Sequence, residues 1–409
     1  SLSIRFPITF SGANYGAAVP SMTSLLDPTW WQADPQESYR ALLAHPGLHQ
    51  DEASGIWCVA RHQDVLTVER DPARFSSEAH YRLEPSPGEA TMISQDDPSH
   101  LAQRRIINRR FTPQATREHA DHYQQMVASL VDQALAAHSV DGSVDVVDAW
   151  AAQLPCRVTA ELIGFGQQRW REVKSWSERQ MRIDRRFVEP ELLDDLHASI
   201  QEWAAVMQQL LPQRAIAPQN DLFSDWLGAG MDGLTMVQET GLLIAGGAET
   251  TRTVIAHGLH VLAQHPDAWE AMATDPAVVV TAVEEMIRWV TPLNNMFRQV
   301  MQDTHLAGTQ LRAGERIALI YPAANRDPAV FMDPDQFDVY RDPNPHVAFG
   351  NGTHFCLGAN LARIELRLLF EELTRRITNL RVLSEPDIEP NIFARAVRSF
   401  DITFDLRVS

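Results

Sequence analysis

A chain of 409 residues, 44% of them hydrophobic, can bury a large core, and its formal net charge of −18 argues against nucleic acid as a partner. Lys174 is the one lysine, which leaves 34 of the 35 basic residues as arginine and suggests a GC-rich genome. Three cysteines (Cys58, Cys156 and Cys356) are too few for a disulfide framework and fit a reducing cytosol.

No apolar run reaches the roughly 18 residues that a transmembrane helix needs. Residues 1–21 lack the basic-then-apolar layout of a signal peptide and read as a leader or extension of unknown role ahead of Met22. The expectation is a soluble, cytoplasmic protein. In chain order, Glu37 to Ala44 predicts a short helix, Ile56 to Ala60 a strand, and Glu84 to Gly88 a loop. Thr116 to Ala137 and Gln201 to Leu211 carry the apolar spacing of amphipathic helices. The longest helix signal runs from Leu234 to Gln264, with Thr235 and Gln238 spaced as a capping box and Pro266 as its stop. Leu306 to Ile320 reads as strands with turns at Gly308 and Gly314. The strands are scattered and do not alternate with helices, which predicts a mainly α fold with a minor β-sheet region and excludes a doubly wound one.

The middle of the long helix reads Ala245-Gly246-Gly247-Ala248-Glu249-Thr250-Thr251. Two glycines inside a helix cost roughly 1 kcal/mol each relative to alanine. Such a site serves close approach of a ligand, a local distortion, or tight packing against another helix. Beside it stand an acid, Glu249, which can relay protons, and an alcohol, Thr250, which can bond a backbone carbonyl or hold water.

Cys356 lies in Phe349-Gly350-Asn351-Gly352-Thr353-His354-Phe355-Cys356-Leu357-Gly358, a glycine-punctuated loop that runs into a helix with Leu357, Leu361, Ile364 and Leu368 at helical spacing. A thiolate there feels the positive end of the helix and can accept from free backbone N–H groups, so a metal is its natural partner. Zinc is a poor reading, because no second cysteine pair or spaced histidine cluster accompanies it. Cys58 and Cys156 have no such setting and read as small buried hydrophobes.

The cysteine loop resembles the haem-binding loop of the cytochrome P-450 monooxygenases, Phe-Gly-x-Gly-x-His-x-Cys-x-Gly, at every defined position. The resemblance extends from about Asp27 to the C-terminus, with motifs in the family's order. It implies a single catalytic domain over 22–409 with the cytochrome P-450 fold, and haem b held between the long central helix and the cysteine-loop helix. Cys356 would be the axial metal ligand, with Phe349 and Gly358 part of the cofactor loop. His100 and Arg104 in Asp97-Pro98-Ser99-His100-Leu101-Ala102-Gln103-Arg104, Arg298 after Thr291-Pro292, and His354 would anchor the haem propionates. Glu249 and Thr250 resemble the family's acid–alcohol pair, which implies proton delivery during dioxygen activation and argues against the peroxide-using branch. Glu285 and Arg288, alone an ordinary i, i+3 ion pair, resemble the family's Glu-x-x-Arg pair, with Arg341 as the third member of a structural network.

The soluble bacterial type of this family implies a ferredoxin and its reductase as electron donors. Arg104, Arg105, Arg109 and Arg110, with Arg363 and Arg367, could form a basic docking patch, or simply a solvated arginine face. Family substrate contacts fall on Met92, Ile93, Met181, Phe187, Leu243, Ala245, Met296, Phe297 and Val397, an apolar and methionine-rich set suited to a lipophilic substrate. Several could equally be core. Arg182, Arg185 and Arg186 could meet a substrate carboxylate or water. Thr291 to Arg298 and Asn344 to Phe349 look similar to actinobacterial members that hydroxylate sterol side chains. The reading is hydroxylation of a lipophilic small molecule, a sterol or terpenoid side chain included. The rivals are a thiolate-haem sensor without turnover, which has no need of Glu249-Thr250, and a biosynthetic enzyme for coupling or desaturation.

Overall fold

In the computed structural model of the protein, which describes residues 23–185 and 189–407, the longest helix runs Gly233–Ala263. The leader reading of residues 1–21, Arg186 and Phe187 lie outside the described residues. Asp232 caps this helix, in place of the expected Thr235–Gln238 box. Its carboxylate accepts from the backbone N–H groups of Leu234 and Thr235 at 3.0 Å each and from the Thr235 hydroxyl at 2.6 Å. Gln238 is engaged elsewhere, its side-chain oxygen accepting from the Ala90 N–H at 2.8 Å. At the far end Pro266, which has no N–H to give, opens the next helix, Pro266–Thr274.

This central helix is buried in two different cores. Ile244 and Ala248 pack with Cys156, Ala160, Trp176 and Trp203 from the helices Gln153–Ile163, Trp170–Met181 and Leu192–Ile216. Further along, Val254, Ile255, Leu259 and Leu262 pack with Met286, Ile287, Phe370 and Leu373 from Pro276–Val290 and Ala359–Arg376. The glycine-bearing turn lies within the first of these cores, between Ile244 and Ala248. Cys156 and Cys58 are buried and unpaired, and burial pushes both thiols up, which suits the packing role expected of them.

The β structure is small, as expected. A five-stranded sheet has the order His49–Gln50, Trp57–Val59, Arg316–Ile320, Asn295–Val300, Phe75–Ser76, with Trp57–Val59 parallel to Arg316–Ile320 and the other pairs antiparallel. Gly308 turns the hairpin between Thr304–Leu306 and Thr309–Leu311 at φ +78°. No helix among the described residues is long and apolar enough to cross a membrane.

Glu285 lies at the centre of the segment that leads to the cysteine loop. One carboxylate oxygen accepts from Arg288 Nη2 at 2.8 Å and the Asp338 N–H at 2.9 Å. The other accepts from Arg288 Nε at 2.8 Å, Arg341 Nε at 3.1 Å and Asn344 Nδ2 at 3.0 Å. Arg288 in turn donates to the carbonyls of Asn325 and Pro334 at 2.8 and 3.0 Å. With Glu285 and Arg288 both buried, this is not a surface helix pair. Glu285→Ala leaves two arginines without their counter-charge and should destabilise the protein by about 3–5 kcal/mol. A urea midpoint equal to that of the parent would remove the network's structural role.

Candidate active site

Between the central helix and the cysteine loop lies a cavity enclosing ≈ 1590 Å³ of atom-free space, its mouth included. One face of the helix lines it through Leu242, Leu243, Gly246, Gly247, Thr250 and Thr251, positions three and four apart. Opposite stand Phe349, Gly350, His354, Cys356 and Gly358.

The cysteine loop is fixed by backbone contacts. The Cys356 N–H donates to the Phe349 carbonyl at 2.9 Å. Gly352 has φ +66°, and a Cβ there would lie 2.1 Å from the Glu69 carbonyl oxygen, so only glycine fits. Asn351 accepts from its neighbour's N–H and from Arg70 Nε, both at 2.9 Å. Burial is the largest influence on the Cys356 thiol and pushes it up. The N–H groups of Gly358 and Ala359, where the helix Ala359–Arg376 starts, pull the other way, as do Arg104 and Arg363. Among the described residues no group of three or more His, Cys, Asp or Glu could hold a metal ion, so a metal on Cys356 needs ligands that the chain does not supply.

The four expected anchors share one end of the cavity: His100, Arg104, Arg298 and His354. Arg104 is turned toward the loop, donating to the carbonyls of Thr353 at 3.3 Å and Phe355 at 2.6 Å. His100 Nδ1 lies 3.0 Å from Asp97, and its ring centroid lies 4.3 Å from that of His354. Burial first, then Arg298, His100 and Arg104, hold the His354 imidazole down at about 3, so it stays neutral. Its Nε2 is enclosed without a partner. Because His354 lines the cavity, this nitrogen is placed to meet a group bound there. Two guanidinium groups and an unsatisfied imidazole nitrogen at one end, a thiol on one wall and apolar walls between them fit a flat metal macrocycle that carries carboxylates.

Thr250 and Glu249 face different ways. Thr250 lines the cavity and donates to the Gly246 carbonyl at 2.8 Å. Glu249 is buried behind it, with one oxygen 3.3 Å from Arg252 Nη1 and the other enclosed without a partner. Burial pushes its carboxyl up, against the pull of Arg252. The same Arg252 nitrogen donates to Glu178 at 2.7 Å, and Glu178 pairs with Lys174 at 3.0 Å. With side-chain exposures of 1% for Glu249 and 21% for Glu178, the cluster steps from the interior toward solvent.

Of the expected substrate contacts, Met92, Ile93, Leu243 and Met296 line the cavity, and four others lie elsewhere. Phe297 sits between Met296 and Arg298 on a strand, so it points to the opposite face and packs with Leu25 and Trp31. Val397 is part of the core around Phe400 and Ile402. Met181 and Ala245 form a small cluster with Phe393 and Ala394, one layer behind Leu293 and Met296. Arg182 pairs with Glu389 at 2.7 Å, which opposes its reading as a free carboxylate receptor. Members of the expected basic patch are ion-paired within the chain: Arg109 and Arg110 pair with Asp225, Arg363 grips Glu284 at 2.6 and 2.8 Å, and Arg367 meets Glu371 at 3.5 Å, although Arg109 stays exposed. Arg70, Arg105 and Arg109 are exposed, as are the large apolar side chains of Leu101 and Phe355.

Sequence reasoning missed Glu69, Tyr321 and Glu365, all of which line the cavity. None lies in a motif. Their signal is burial of an acid or phenol, which only the fold reveals.

The family model described as Cytochrome P450 matches residues 219–396. A steroid C26-monooxygenase of Mycolicibacterium smegmatis is 35% identical over 376 residues, 90% of this chain and 92% of its own length. A methyl-branched lipid omega-hydroxylase of Mycobacterium tuberculosis is 33% identical over 370 residues, 86% of this chain and 84% of its own. A Mycobacterium marinum cytochrome P450 solved with pseudoionone superposes at a TM-score of 0.84, with 30% identity over 92% of this chain and 97% of that one. Cytochrome P450-153 from Novosphingobium aromaticivorans superposes at 0.84, with 31% identity over 93% and 99%.

The two helix glycines have separate duties. A Cβ on Gly247 would lie 2.6 Å from Thr159 Oγ1 on the Gln153–Ile163 helix, whereas one on Gly246 meets nothing within 4 Å. Gly247→Ala should therefore cost about 1–3 kcal/mol by overpacking. Gly246→Ala should hold or gain stability, up to about 1 kcal/mol from helix propensity. Denaturant midpoints in the reverse order would refute this division.

Proposed function

The chain belongs to the cytochrome P450 family, and on that premise we propose that Cys356 would hold haem b through its thiolate. His100, Arg104, Arg298 and His354 then attend its propionates, and Phe349 and Gly358 border it. The protein is a monooxygenase that acts on a lipophilic small molecule with dioxygen and electrons from redox partners. The observation that carries the site assignment is the unsatisfied His354 nitrogen beside Arg298, in the cavity that Cys356 also lines. When bound, the haem supplies the iron that activates dioxygen, with the thiolate pushing electron density toward O–O cleavage.

The chain's own residues handle the proton. Thr250 offers its hydroxyl to the cavity, and a turn of that hydroxyl from the Gly246 carbonyl frees it to hold water or donate. Glu249, raised by burial, can carry a proton when it leaves Arg252, and Glu178 lies on the solvent side of the same arginine. Glu285, Arg288 and Arg341 hold the loop and touch no reacting atom. Residues 22–409 act as one catalytic domain in the cytoplasm. The exposed Arg70 and Arg105, with Leu101 and Phe355, offer a small docking face for an acidic ferredoxin served by its reductase.

The relatives' names share oxidation near the end of an alkyl chain, and the lining by Met92, Ile93, Leu242, Leu243, Leu293 and Met296 suits such a chain. The sterol side chain is the preferred substrate and a methyl-branched lipid the second. Two experiments test this reading. Reduced protein under carbon monoxide should show the strongly red-shifted Soret band of thiolate-ligated haem, lost in Cys356→His. A band at the histidine-ligated position in the parent would remove the Cys356 assignment. Cholest-4-en-3-one should then shift the haem spin state at lower concentration than a methyl-branched fatty acid does. A stronger response to the fatty acid would replace the sterol preference with the lipid one.

A further inference from the structure

Glu69 ends the helix His62–Glu69 and lines the same cavity end as Arg298, His100, Arg104 and His354. Its backbone carbonyl is the one that excludes a side chain at Gly352, and its Oε1 would lie 3.1 Å from a Cβ at Gly350, so the cysteine loop is moulded on this residue. Oε1 accepts from the Tyr321 hydroxyl at 2.6 Å. Oε2 is enclosed and has no partner among the described residues. What sets this oxygen apart is its place, on an acid that lines the cavity end where the four expected anchors converge.

The surroundings decide where a proton would sit. Tyr321, held in its phenol form by burial and by Glu69 itself, donates its hydroxyl hydrogen to Oε1 in this arrangement. The carboxyl hydrogen of a neutral Glu69 therefore belongs on Oε2, which then needs an acceptor. The charged and titratable groups around it are Arg298 from the strand, Arg70 from its own helix end, Tyr321, the Asn351 N–H of the loop, and the neutral His354 with His100 and Arg104 along the wall. Burial outweighs Arg298 and the other donors and raises Glu69 to about 7. The carboxylates of a bound cofactor at this end would add like charge and raise it further.

We propose that Glu69 is the proton-carrying partner of a haem propionate, donating a hydrogen bond from Oε2 to a propionate oxygen. Loss of that proton to solvent leaves a carboxylate beside the haem and lowers its reduction potential. This rests on membership of the family and not on the substrate reading. It gives the haem a potential that responds to pH through a group remote from the iron, by charge in a low-dielectric site.

Glu69→Gln tests it, because the amide keeps the shape, accepts from Tyr321 and donates from the Oε2 position, yet cannot titrate. Spectroelectrochemical titration of the haem-loaded protein should show the parent's potential falling as pH rises from mildly acid to mildly alkaline. The E69Q potential should stay level near the parent's acid limit. Tyr321→Phe removes a donor that favours the carboxylate, so the fall should move to higher pH. Infrared spectra of the parent should carry a neutral carboxylic-acid band that E69Q lacks. A parent potential that does not move with pH would overturn the proposal. So would an E69Q protein that keeps the thiolate spectrum and retains the parent's pH dependence, a result that leaves the Cys356 site standing.

Discussion

The carboxylate of Glu285 collects five donors from the helix that bears it and from the segment through Asn344, and nearly everything at the site hangs from that convergence. Arg288 spends its remaining donors on the carbonyls of Asn325, Pro334 and Gln336, which run through an irregular stretch that no sheet or helix would otherwise satisfy. Next to it in sequence, Glu284 reaches the other way, to Arg363 on the cysteine-loop helix and to His346 at 3.2 Å. Two adjacent glutamates thus tie one helix both to the approach of the loop and to its exit. The loop's own turns, with the Gly350 N–H on Val347 and the Cys356 N–H on Phe349 at 2.9 Å each, are held in place by these ties and by the end of the His62–Glu69 helix.

Charge inside the protein follows two patterns. Around the loop it is compensated: Arg363 holds Glu284 down at about 2 despite burial, and Arg104 is committed to loop carbonyls. At the cavity and just beside it, burial outweighs the compensation. Glu69, Glu239 and Glu365 are all raised by burial, Glu69 and Glu239 to about 7 and Glu365 well beyond its usual range with no opposing influence. Glu239 spends its carboxylate on the Met92 N–H and on Gln103, so it fixes the turn that brings Met92 and Ile93 over the cavity. Acids placed this way cost stability, which proteins accept most often where a ligand or a reaction needs a proton held in place.

The sequence carried the parts of this architecture that are local. The central helix and the cysteine loop were legible as continuous runs, whereas Glu285 and Arg288 read alone as an ordinary pair and Arg341, 56 residues from Glu285, joined them only through the family resemblance. The helix cap was misread because Asp232 starts the helix earlier and takes the Leu234 and Thr235 N–H groups, and only tertiary contact with Ala90 shows where Gln238 goes. The substrate wall was only half legible. Spacing cannot say that Met181 and Ala245 stand one layer back, nor that Val397 turns into the main core. Phe297 is different, since strand alternation alone excludes it once Met296 and Arg298 are placed in the cavity. Glu69 and Glu365 were invisible because an isolated glutamate in a helix carries no mark of its burial.

The strand Asn295–Val300 presents Met296 and Arg298 to the cavity from one face, two residues and about 6.5 Å apart along an extended backbone. It is pinned on its other face by Phe297, which is buried against the N-terminal segment and covered by Arg316 at 5.2 Å. The strand therefore acts as a ruler with two marks, one at the apolar wall and one at the cationic end. Neither mark can move without the other. A substitution that shifts the strand resets how deep a guest reaches and how firmly the cationic end grips, by the same distance. Variants that alter reach alone must come from the loop at Met92 and Ile93 or from the helix at Leu242 and Leu243, which are graduated independently of it.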